Sequence, residues 1–243
     1  MAVPAASRAG GGLQPIDKRQ ALAGHFLFRH LSEAEVDGLL TRARVQRHKA
    51  GAVIFRQGDP GHGLVAVLSG EVKITSPSVS GKEIVLNIIN PGEVFGEIAL
   101  LDGKARSADA VAIAACELLV IDRRDFVPFL EARPALCIRL LAVLCERLRK
   151  TSEQVQDLLF LDLRARLAKT LLRLGEAHGQ AAPGGREISL KLSQRELGNL
   201  VGRSRESVNK QLREWQDAKL IRFQAGRLII RDVAALERQS EPE

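Results

Sequence analysis

Two charged residues lie in a stretch of mostly small and apolar residues near the middle of the chain, VFGEIALLDGKARSADA at residues 94–110. Glu97 directly follows Gly96, and Arg106 comes nine residues after Glu97. A guanidinium suits a phosphate because it offers a planar fork of charge-assisted donors, and a carboxylate accepts hydrogen bonds from hydroxyl groups. The stretch is either an ordinary turn or a binding site, and its residues alone leave both interpretations open.

A second polar cluster lies near the C-terminus, in LSQRELGNLVGRSRESVNKQLREW at residues 192–215. Ser193 begins an S-x-x-E capping box, which indicates the start of a helix. Gly202 is the residue type that ends a helix, and Arg203 would form the turn after it. Ser204 can then cap a second helix. The pattern predicts two helices joined by a tight turn.

The second of these helices is predicted to have an apolar face and a polar face. Apolar residues at helical spacing would form the buried face: Val208, Leu212 and Trp215. The outward face would carry Arg205, Glu206, Asn209 and Lys210. Arginine can bond both O6 and N7 of guanine, and glutamate can accept from N4 of cytosine. The arrangement predicts a helix-turn-helix that recognises bases in the major groove, the alternative being a merely solvated polar helix.

The elements that must position the first stretch are predicted to be β-strands. From about residue 50, short β-rich runs alternate with turns that contain Gly, Pro, Asn or Asp. The runs are AGAVIF, LVAVLSGEVKIT, IVLNII and ELLVID. They predict an antiparallel barrel or roll. Residues 20–45 are predicted to be helical, with a capping box at Ser32, and a further helix is predicted at Asp125–Leu130.

A long helix is predicted after Pro134, with a repeating apolar stripe. The stripe follows alternating spacings of four and three residues: Cys137, Leu141, Leu144, Leu148, Thr151, Val155 and Leu158. This heptad pattern favours a two-stranded coiled coil, although such a helix can also pack on its own domain. Thr151 is polar within the stripe, so its hydroxyl would either set the register of a dimer or face a ligand.

A smaller second unit is predicted beyond Asp162. It would contain a helix at Leu163–His178, a loop, a strand at Glu187–Leu192, the two helices described above and a hairpin at Leu220–Arg231 that turns at residues 224–226. From residue 163 onward there are 16 Lys/Arg against 10 Asp/Glu, whereas the preceding residues are nearly balanced. The basic excess in this unit favours nucleic acid as a partner.

The composition bounds the other function classes. The 243 residues contain no apolar run of the roughly 20 residues that a membrane-spanning helix needs. The first 20 residues lack the apolar segment of a signal peptide and are predicted to be a disordered lead-in. Three cysteines without a CxxC pair argue against a disulfide framework or a metal centre and favour the cytoplasm. No nucleotide-hydrolysing P-loop or nucleophile motif indicates an enzyme.

Three segments together resemble the cyclic-AMP receptor protein and fumarate-nitrate regulator family of bacterial transcription factors. FGEIALLDGKARSA is similar to the phosphate-binding cassette of cyclic-nucleotide domains, RKTSEQVQDLLFLD to the end of the dimerisation helix, and VGRSRESVNKQL to the recognition helix. The resemblance covers about residues 24–232. It implies an α+β protein with domain boundaries at 1–20 (lead-in), 21–133 (cyclic-nucleotide-binding β-roll), 134–162 (dimerisation helix and hinge) and 163–243 (winged helix-turn-helix).

The resemblance also implies roles for individual residues. Glu97 would accept from the ribose 2′-hydroxyl, and Arg106 would pair with the cyclic phosphate. Ser107 and the backbone at Gly96, Ile98 and Ala99 would support that phosphate, helped by the unsatisfied N–H groups of a short helix at 97–101. Thr151 and Ser152 would contact the base, one of them from the partner subunit. Ser193, Arg203, Ser204, Arg205, Glu206, Asn209 and Lys210 would contact DNA.

The expected function is that of a homodimeric, non-enzymatic transcription regulator that binds a TGTGA-like palindrome in double-stranded DNA. The expected effector is cyclic AMP, with cyclic GMP as the alternative, and the expected partners include RNA polymerase but no membrane and no metal. Two other functions stay open: a cyclic-nucleotide module that regulates another protein, and a family regulator that binds DNA without a ligand.

Overall fold

The N-terminal part of the chain forms a β-roll of two antiparallel sheets. The computed structural model describes residues 19, 22, 27–78, 82–224 and 226–241. One sheet has the order β1-β8-β3-β6, with β1 Ala43–His48, β8 Cys116–Asp122, β3 Gly63–Ser69 and β6 Val94–Phe95. The other has the order β2-β7-β4-β5, with β2 Val53–Phe55, β7 Asp109–Ala112, β4 Val72–Pro77 and β5 Glu83–Ile89. The predicted β-roll is therefore confirmed.

Among the described residues, three short helices border the roll: α1 Glu33–Leu40, α2 Glu97–Asp102 and α3 Arg123–Glu131. The capping box predicted at Ser32 is present, because Ser32 accepts from the Glu35 N–H and the Glu35 carboxylate accepts from the Ser32 N–H. The Ser32 N–H and a hydrogen bond from Arg133 lower the pKa of Glu35 to about 2. The cap thus also ties α1 to the chain that follows α3.

The prediction that residues 20–45 are helical is wrong at residues 27–32, which precede the helix as a turn, and again beyond Leu40. Helix α1 ends at Leu40, and β1 begins at Ala43 and pairs with β8. The start of β1 alternates, so that Ala43 and Val45 pack on the apolar core while Arg44 is exposed. A two-residue alternation of this kind fits a half-buried strand and not a helix. The predicted disordered lead-in at 1–20 lies outside the described residues, apart from residue 19.

The longest helix, α4, spans Pro134–Phe160. Pro134 stands at its start, where the missing N–H costs no intrahelical hydrogen bond. Leu136 and Leu140 are buried against the core of the β-roll. The predicted heptad stripe lies on a different face: Leu148 is 68% exposed and Leu141 is 53% exposed. These two residues do not pack on their own domain, whereas Cys137 of the same stripe packs against the core of the roll.

The C-terminal unit is a small helical domain with an antiparallel sheet. Its helices are α5 Leu163–His178, α6 Gln194–Val201, α7 Arg205–Asp217 and α8 Val233–Arg238. Its sheet has the order β11-β12-β10-β9, with β11 Ile221–Gln224, β12 Arg227–Ile230, β10 Gly185–Ile188 and β9 Gly179–Ala182. Leu171, Trp215 and Ile230 are at the centre of its core. The turn predicted at 224–226 is only partly described, because residue 225 lies outside the described residues.

The strand predicted at Glu187–Leu192 and the loop before it need correction. The chain forms a hairpin of β9 and β10 that ends at Ile188, four residues earlier than predicted. A Cβ atom on Gly185 would lie 2.1 Å from the carbonyl oxygen of Ile230. Glycine thus lets β10 approach β12 closely enough to pair. The hairpin was predicted to be a loop because its residues are mainly Gly, Ala and Pro, which are typical of loops.

The two domains are in contact. Helix α6 packs on β5, and Ile88 and Ile113 of the roll lie against the core of the C-terminal domain. Strand β5 therefore has neighbours in both domains. Within the described ranges, none of the helices combines the length and the apolar character that a membrane crossing requires.

Replacing Ser32 by alanine is expected to destabilise the β-roll domain by about 1 kcal/mol, because the first turn of α1 loses its side-chain cap. Urea unfolding followed by circular dichroism measures the change. Ser32→Thr keeps the acceptor oxygen and serves as the matched control. Equal losses in both variants would contradict a capping role.

Candidate ligand cavity and nucleic-acid interface

A cavity of about 250 Å³ opens between the β-roll and α4. Its lining brings together most of the residues predicted to bind the ligand: Gly96, Glu97, Ile98, Ala99, Arg106, Ser107 and Thr151. Ser152 does not line it, because its hydroxyl donates to the Leu148 carbonyl at 2.9 Å on the exposed side of α4. The single chain therefore assembles seven of the eight predicted residues, and Ser152 stays a prediction for a partner subunit.

Arg106 is almost fully buried at the base of the cavity. Its Nη1 donates to the Gly96 carbonyl and its Nη2 to the Gly63 carbonyl, each at 2.9 Å. Its guanidinium carbon lies 4.2 Å from the centre of the Phe55 ring, an attractive cation–π contact. Its Nε has no hydrogen-bond partner among the described residues. Burial lowers the pKa of Arg106 from its ordinary value, and the Glu97 and Asp59 carboxylates oppose that shift.

Glycine at position 96 leaves space for the side chain of Arg106. Gly96 has a φ of +79°, which L side chains rarely adopt, and a Cβ atom there would lie 2.3 Å from Nη1 of Arg106. The residue thus makes room for the guanidinium as well as for a ligand. The α2 helix follows, and its first intrahelical bond runs from the Leu100 N–H to the Gly96 carbonyl. The amides of residues 97–99 are consequently not used within the helix.

Glu97 is also buried but does not pair with Arg106. Its Oε1 lies 2.5 Å from Nη1 of Arg147 on α4, and its Oε2 has no hydrogen-bond partner among the described residues. Two opposite charges, Glu97 and Arg106, therefore line one cavity with one polar atom each left unsatisfied. Such atoms cost free energy when buried, so the arrangement fits a ligand that offers both a hydroxyl donor and an anionic group. Glu97 and Arg106 therefore do not form a simple salt bridge with each other.

Arg147 is the main site residue that the sequence interpretation missed. It bonds Glu97, also donates to the Val94 carbonyl, and lines the cavity with Lys150 from the same helix. Arg147 precedes Thr151 by four residues, so the two lie on one face of α4. A basic residue one turn before the polar break in the stripe was the available signal. The apolar wall was also not predicted: Phe55, Ile74, Leu86, Ile89 and Phe95.

The predicted helix-turn-helix is present. Gly202 ends α6 in the left-handed conformation at φ +64°, and the Ser204 hydroxyl accepts from the Ser207 N–H at the start of α7. A Cβ atom on Gly198 would lie 2.7 Å from the Arg203 carbonyl oxygen. Glycine at that position therefore permits the close packing of the turn against α6.

The faces of α7 divide as predicted. Val208, Leu212 and Trp215 are buried in the domain core. Ser193 and the polar residues from Arg203 to Lys210 lie at the surface, with Asn209 half-buried. The pKa of Glu206 is lowered, first by a hydrogen bond from the Glu206 backbone N–H and second by one from the Ser204 hydroxyl. Glu206 is consequently ionised near neutral pH and available as an acceptor, while Arg205 and Lys210 offer donors.

Comparison with known proteins identifies both domains. Residues 45–133 match the profile of the cyclic nucleotide-binding domain, and residues 165–239 match that of the Crp-like helix-turn-helix domain. A CRP-like cAMP-activated global transcriptional regulator of Mycobacterium tuberculosis is 32% identical over 225 residues, which is 93% of this chain and all of the relative. The chain belongs to the CRP/FNR family. It is a cyclic-nucleotide-binding transcription regulator with the fold of that family.

Two further relatives show the breadth of the CRP/FNR family. The cyclic AMP receptor protein of Thermus thermophilus is 34% identical, over 89% of this chain and 97% of the relative. The c-di-GMP-responsive regulator CLP of Xanthomonas campestris has a similar solved structure, with a TM-score of 0.74 and 26% identity over 82% of this chain and 99% of CLP. These two relatives are named for different nucleotides, so membership of the family does not by itself identify the effector of this chain.

Substituting Arg147 by methionine is expected to destabilise the β-roll domain by about 3 kcal/mol, because the buried Glu97 then loses its ion-pair partner. Urea unfolding at neutral pH measures the loss. Adding Glu97→Gln to that variant removes the stranded charge and is expected to restore most of the stability. If the double variant were no more stable than Arg147→Met, the ion pair would not be the cause.

Proposed function

We propose that this protein is a homodimeric transcription regulator whose binding to a TGTGA-like palindrome is controlled by cyclic AMP. The observation that carries the proposal is the pair of half-satisfied charges, Glu97 and Arg106, in one cavity that Thr151 of the long helix also lines. The cavity therefore joins a phosphate-binding group, a hydroxyl-binding group and the surface that would meet a second subunit.

A single cyclic nucleotide matches these groups. The unsatisfied Nε of Arg106 and the hydroxyl of Ser107 would donate hydrogen bonds to the cyclic phosphate. Glu97 would accept a hydrogen bond from the ribose 2′-hydroxyl through Oε2. The apolar wall then accommodates the base. Arg147 and Lys150 also line the cavity but pair with Glu97 and Glu146, which leaves Arg106 as the guanidinium for a phosphate. One such guanidinium and one free carboxylate oxygen suit one nucleotide unit. This favours a mononucleotide over a dinucleotide of the kind to which CLP responds.

Thr151 favours adenine as the base. It lies on α4 at the edge of the cavity, where its hydroxyl can bond the base, and Ser152 of the partner subunit would lie opposite. The relatives from Mycobacterium and Thermus are both named for cyclic AMP. Cyclic GMP is the second candidate because Ser107 also lines the cavity and can bond a guanine amino group if the base turns syn.

The exposed stripe on α4 supports the dimer. Leu141, Leu148, Val155 and Leu158 are each at least 40% exposed and follow the heptad spacing. A second copy of α4 would cover this stripe and place Thr151 at the interface. The nucleotide would then contact both subunits, which gives it differential affinity for alternative packings of the two helices.

The DNA-binding surface supports a sequence-specific regulator over a module that acts on a protein. In the proposed dimer, two α7 helices lie about 34–36 Å apart and enter successive major grooves. Arg205, Glu206, Asn209 and Lys210 contact bases, while Ser193, Arg203 and Ser204 contact phosphates. RNA polymerase is the further partner that this function implies.

Arg106→Leu is expected to weaken cyclic AMP binding by about 100-fold or more, because the charge-assisted hydrogen bond from Nε and the positive charge beside the phosphate are both lost. Isothermal titration calorimetry measures the affinity, and circular dichroism confirms the fold. Arg106→Lys keeps the charge without the fork and is expected to show an intermediate loss. Unchanged affinity in a folded Arg106→Leu variant would refute the site.

Glu206→Ala is expected to relax discrimination at one base pair of each half-site by about 1–3 kcal/mol, because an acceptor for cytosine N4 is removed. Fluorescence anisotropy with a panel of single-base operator variants measures this. Glu214→Ala, the same change at an exposed position near the end of α7, is the matched control and is expected to leave discrimination unchanged. A uniform loss over all sequences in the Glu206→Ala variant would assign Glu206 to a structural role.

A further inference from the structure

A lysine of the β-roll lies between two carboxylates that belong to different domains. Nζ of Lys73, on β4, is 3.6 Å from Oε2 of Glu83 on β5 and 3.8 Å from Oε1 of Glu196 on α6. The Lys73 side chain is only 13% exposed. Because solvent screens a partly buried pair less than an exposed one, these ion pairs count for more than ordinary surface contacts.

Each carboxylate is held in place by a second contact. Glu83 Oε2 also accepts from the side-chain amide of Asn199 on α6, at 3.0 Å. Glu196 uses its other oxygen, Oε2, to accept from Ser193 in the capping box of α6. The four residues Lys73, Glu83, Glu196 and Asn199 therefore form a polar cluster between β4–β5 and the first helix of the helix-turn-helix.

Strand β5 links this cluster to the ligand cavity. Glu83 stands at its start, whereas Leu86 and Ile89 further along the same strand line the cavity. The Leu86 carbonyl also accepts from Gln154 of α4 at 3.1 Å. A displacement of β5 by a ligand in the cavity would consequently change the position of Glu83 relative to α6.

Where the C-terminal domain packs on the β-roll, strands β4 and β5 lie close to the start of α7, the predicted recognition helix. Ser76, Ser78 and Lys82 lie on one side of a cleft of about 550 Å³, and Arg203, Ser204 and Arg205 lie on the other. Base contacts in this class of protein come from the first residues of the recognition helix, which must enter a groove about 12 Å wide between two phosphate backbones. In this position the strands flank the end of α7 that would enter the groove.

We infer that the Lys73–Glu83–Glu196–Asn199 cluster is an interdomain latch that restrains the DNA-binding domain, and that its release favours binding to DNA. The inference rests on the proposed function, since it takes DNA as the partner of α7. The latch depends on the positive charge of Lys73. Without that ammonium group, the Glu83 and Glu196 carboxylates face each other across the domain boundary and repel.

The test measures affinity for a TGTGA palindrome by fluorescence anisotropy without any nucleotide. Lys73→Met is expected to raise this affinity about fivefold or more, within the usual range of coupling between sites. Lys73→Met/Glu196→Gln removes the repulsion and keeps the capping box, because glutamine also serves there. That double variant is expected to return most of the way to the wild-type affinity. Lys49→Met, an exposed lysine in a turn of the same domain, is the control and is expected to cause no change.

Hydrogen exchange separates the latch from a simple effect on folding. Lys73→Met is expected to accelerate exchange of amides at the contact between β5 and α6, while the cores of both domains keep wild-type protection. Unchanged or reduced DNA affinity in Lys73→Met would overturn the inference, as would a double variant that behaves like the single one.

Calorimetry with cyclic AMP on the wild-type protein tests the proposed function separately. Cyclic AMP binding with no effect of Lys73→Met refutes the latch alone. Conversely, release by Lys73→Met in a protein that binds no cyclic nucleotide refutes the proposed effector and leaves the latch supported.

Discussion

The structure depends on keeping two opposite buried charges apart. Glu97 and Arg106 lie in one small cavity, and a direct salt bridge would leave neither available to a ligand. Arg106 is instead held by two backbone carbonyls and the Phe55 ring, and Glu97 is held by Arg147. Because buried charges are tolerated only with partners, these contacts fix the positions of β3, α2 and α4 around the cavity. Each charge keeps one unsatisfied atom that a ligand can bond.

Two elements extend from this cavity to the rest of the molecule. Helix α4 supplies Arg147 and Thr151 to the cavity and presents an apolar stripe on its exposed face. Strand β5 supplies Leu86 and Ile89 to the cavity and contacts helix α6 of the C-terminal domain. A ligand therefore adjoins both the surface suited to a second subunit and the contact with the DNA-binding domain. No separate relay is required, since the same two elements form the wall of the cavity.

Most of the fold could be predicted from local patterns, and the errors have physical causes. Capping boxes at Ser32 and Ser193 and the stop at Gly202 are short-range signals, and the structure confirms each of them. The helix that carries the predicted stripe is also present, with Leu141 and Leu148 exposed. Strand β1 was missed because its arginines obscured a short alternation that only pairing with β8 makes into a strand. Seven of eight predicted ligand residues meet in the cavity, but the ion pair of Glu97 with Arg147 joins residues 50 positions apart, and no local pattern indicates such a contact.

The central claim is that occupation of the cavity controls DNA binding. The most direct measurement is the affinity of the wild-type protein for a TGTGA palindrome, by fluorescence anisotropy, with saturating cyclic AMP, with saturating cyclic GMP and with neither. The account predicts that cyclic AMP raises the affinity at least fivefold and that cyclic GMP has a smaller effect. The same affinity under all three conditions would contradict it and would identify a regulator that binds DNA without a ligand.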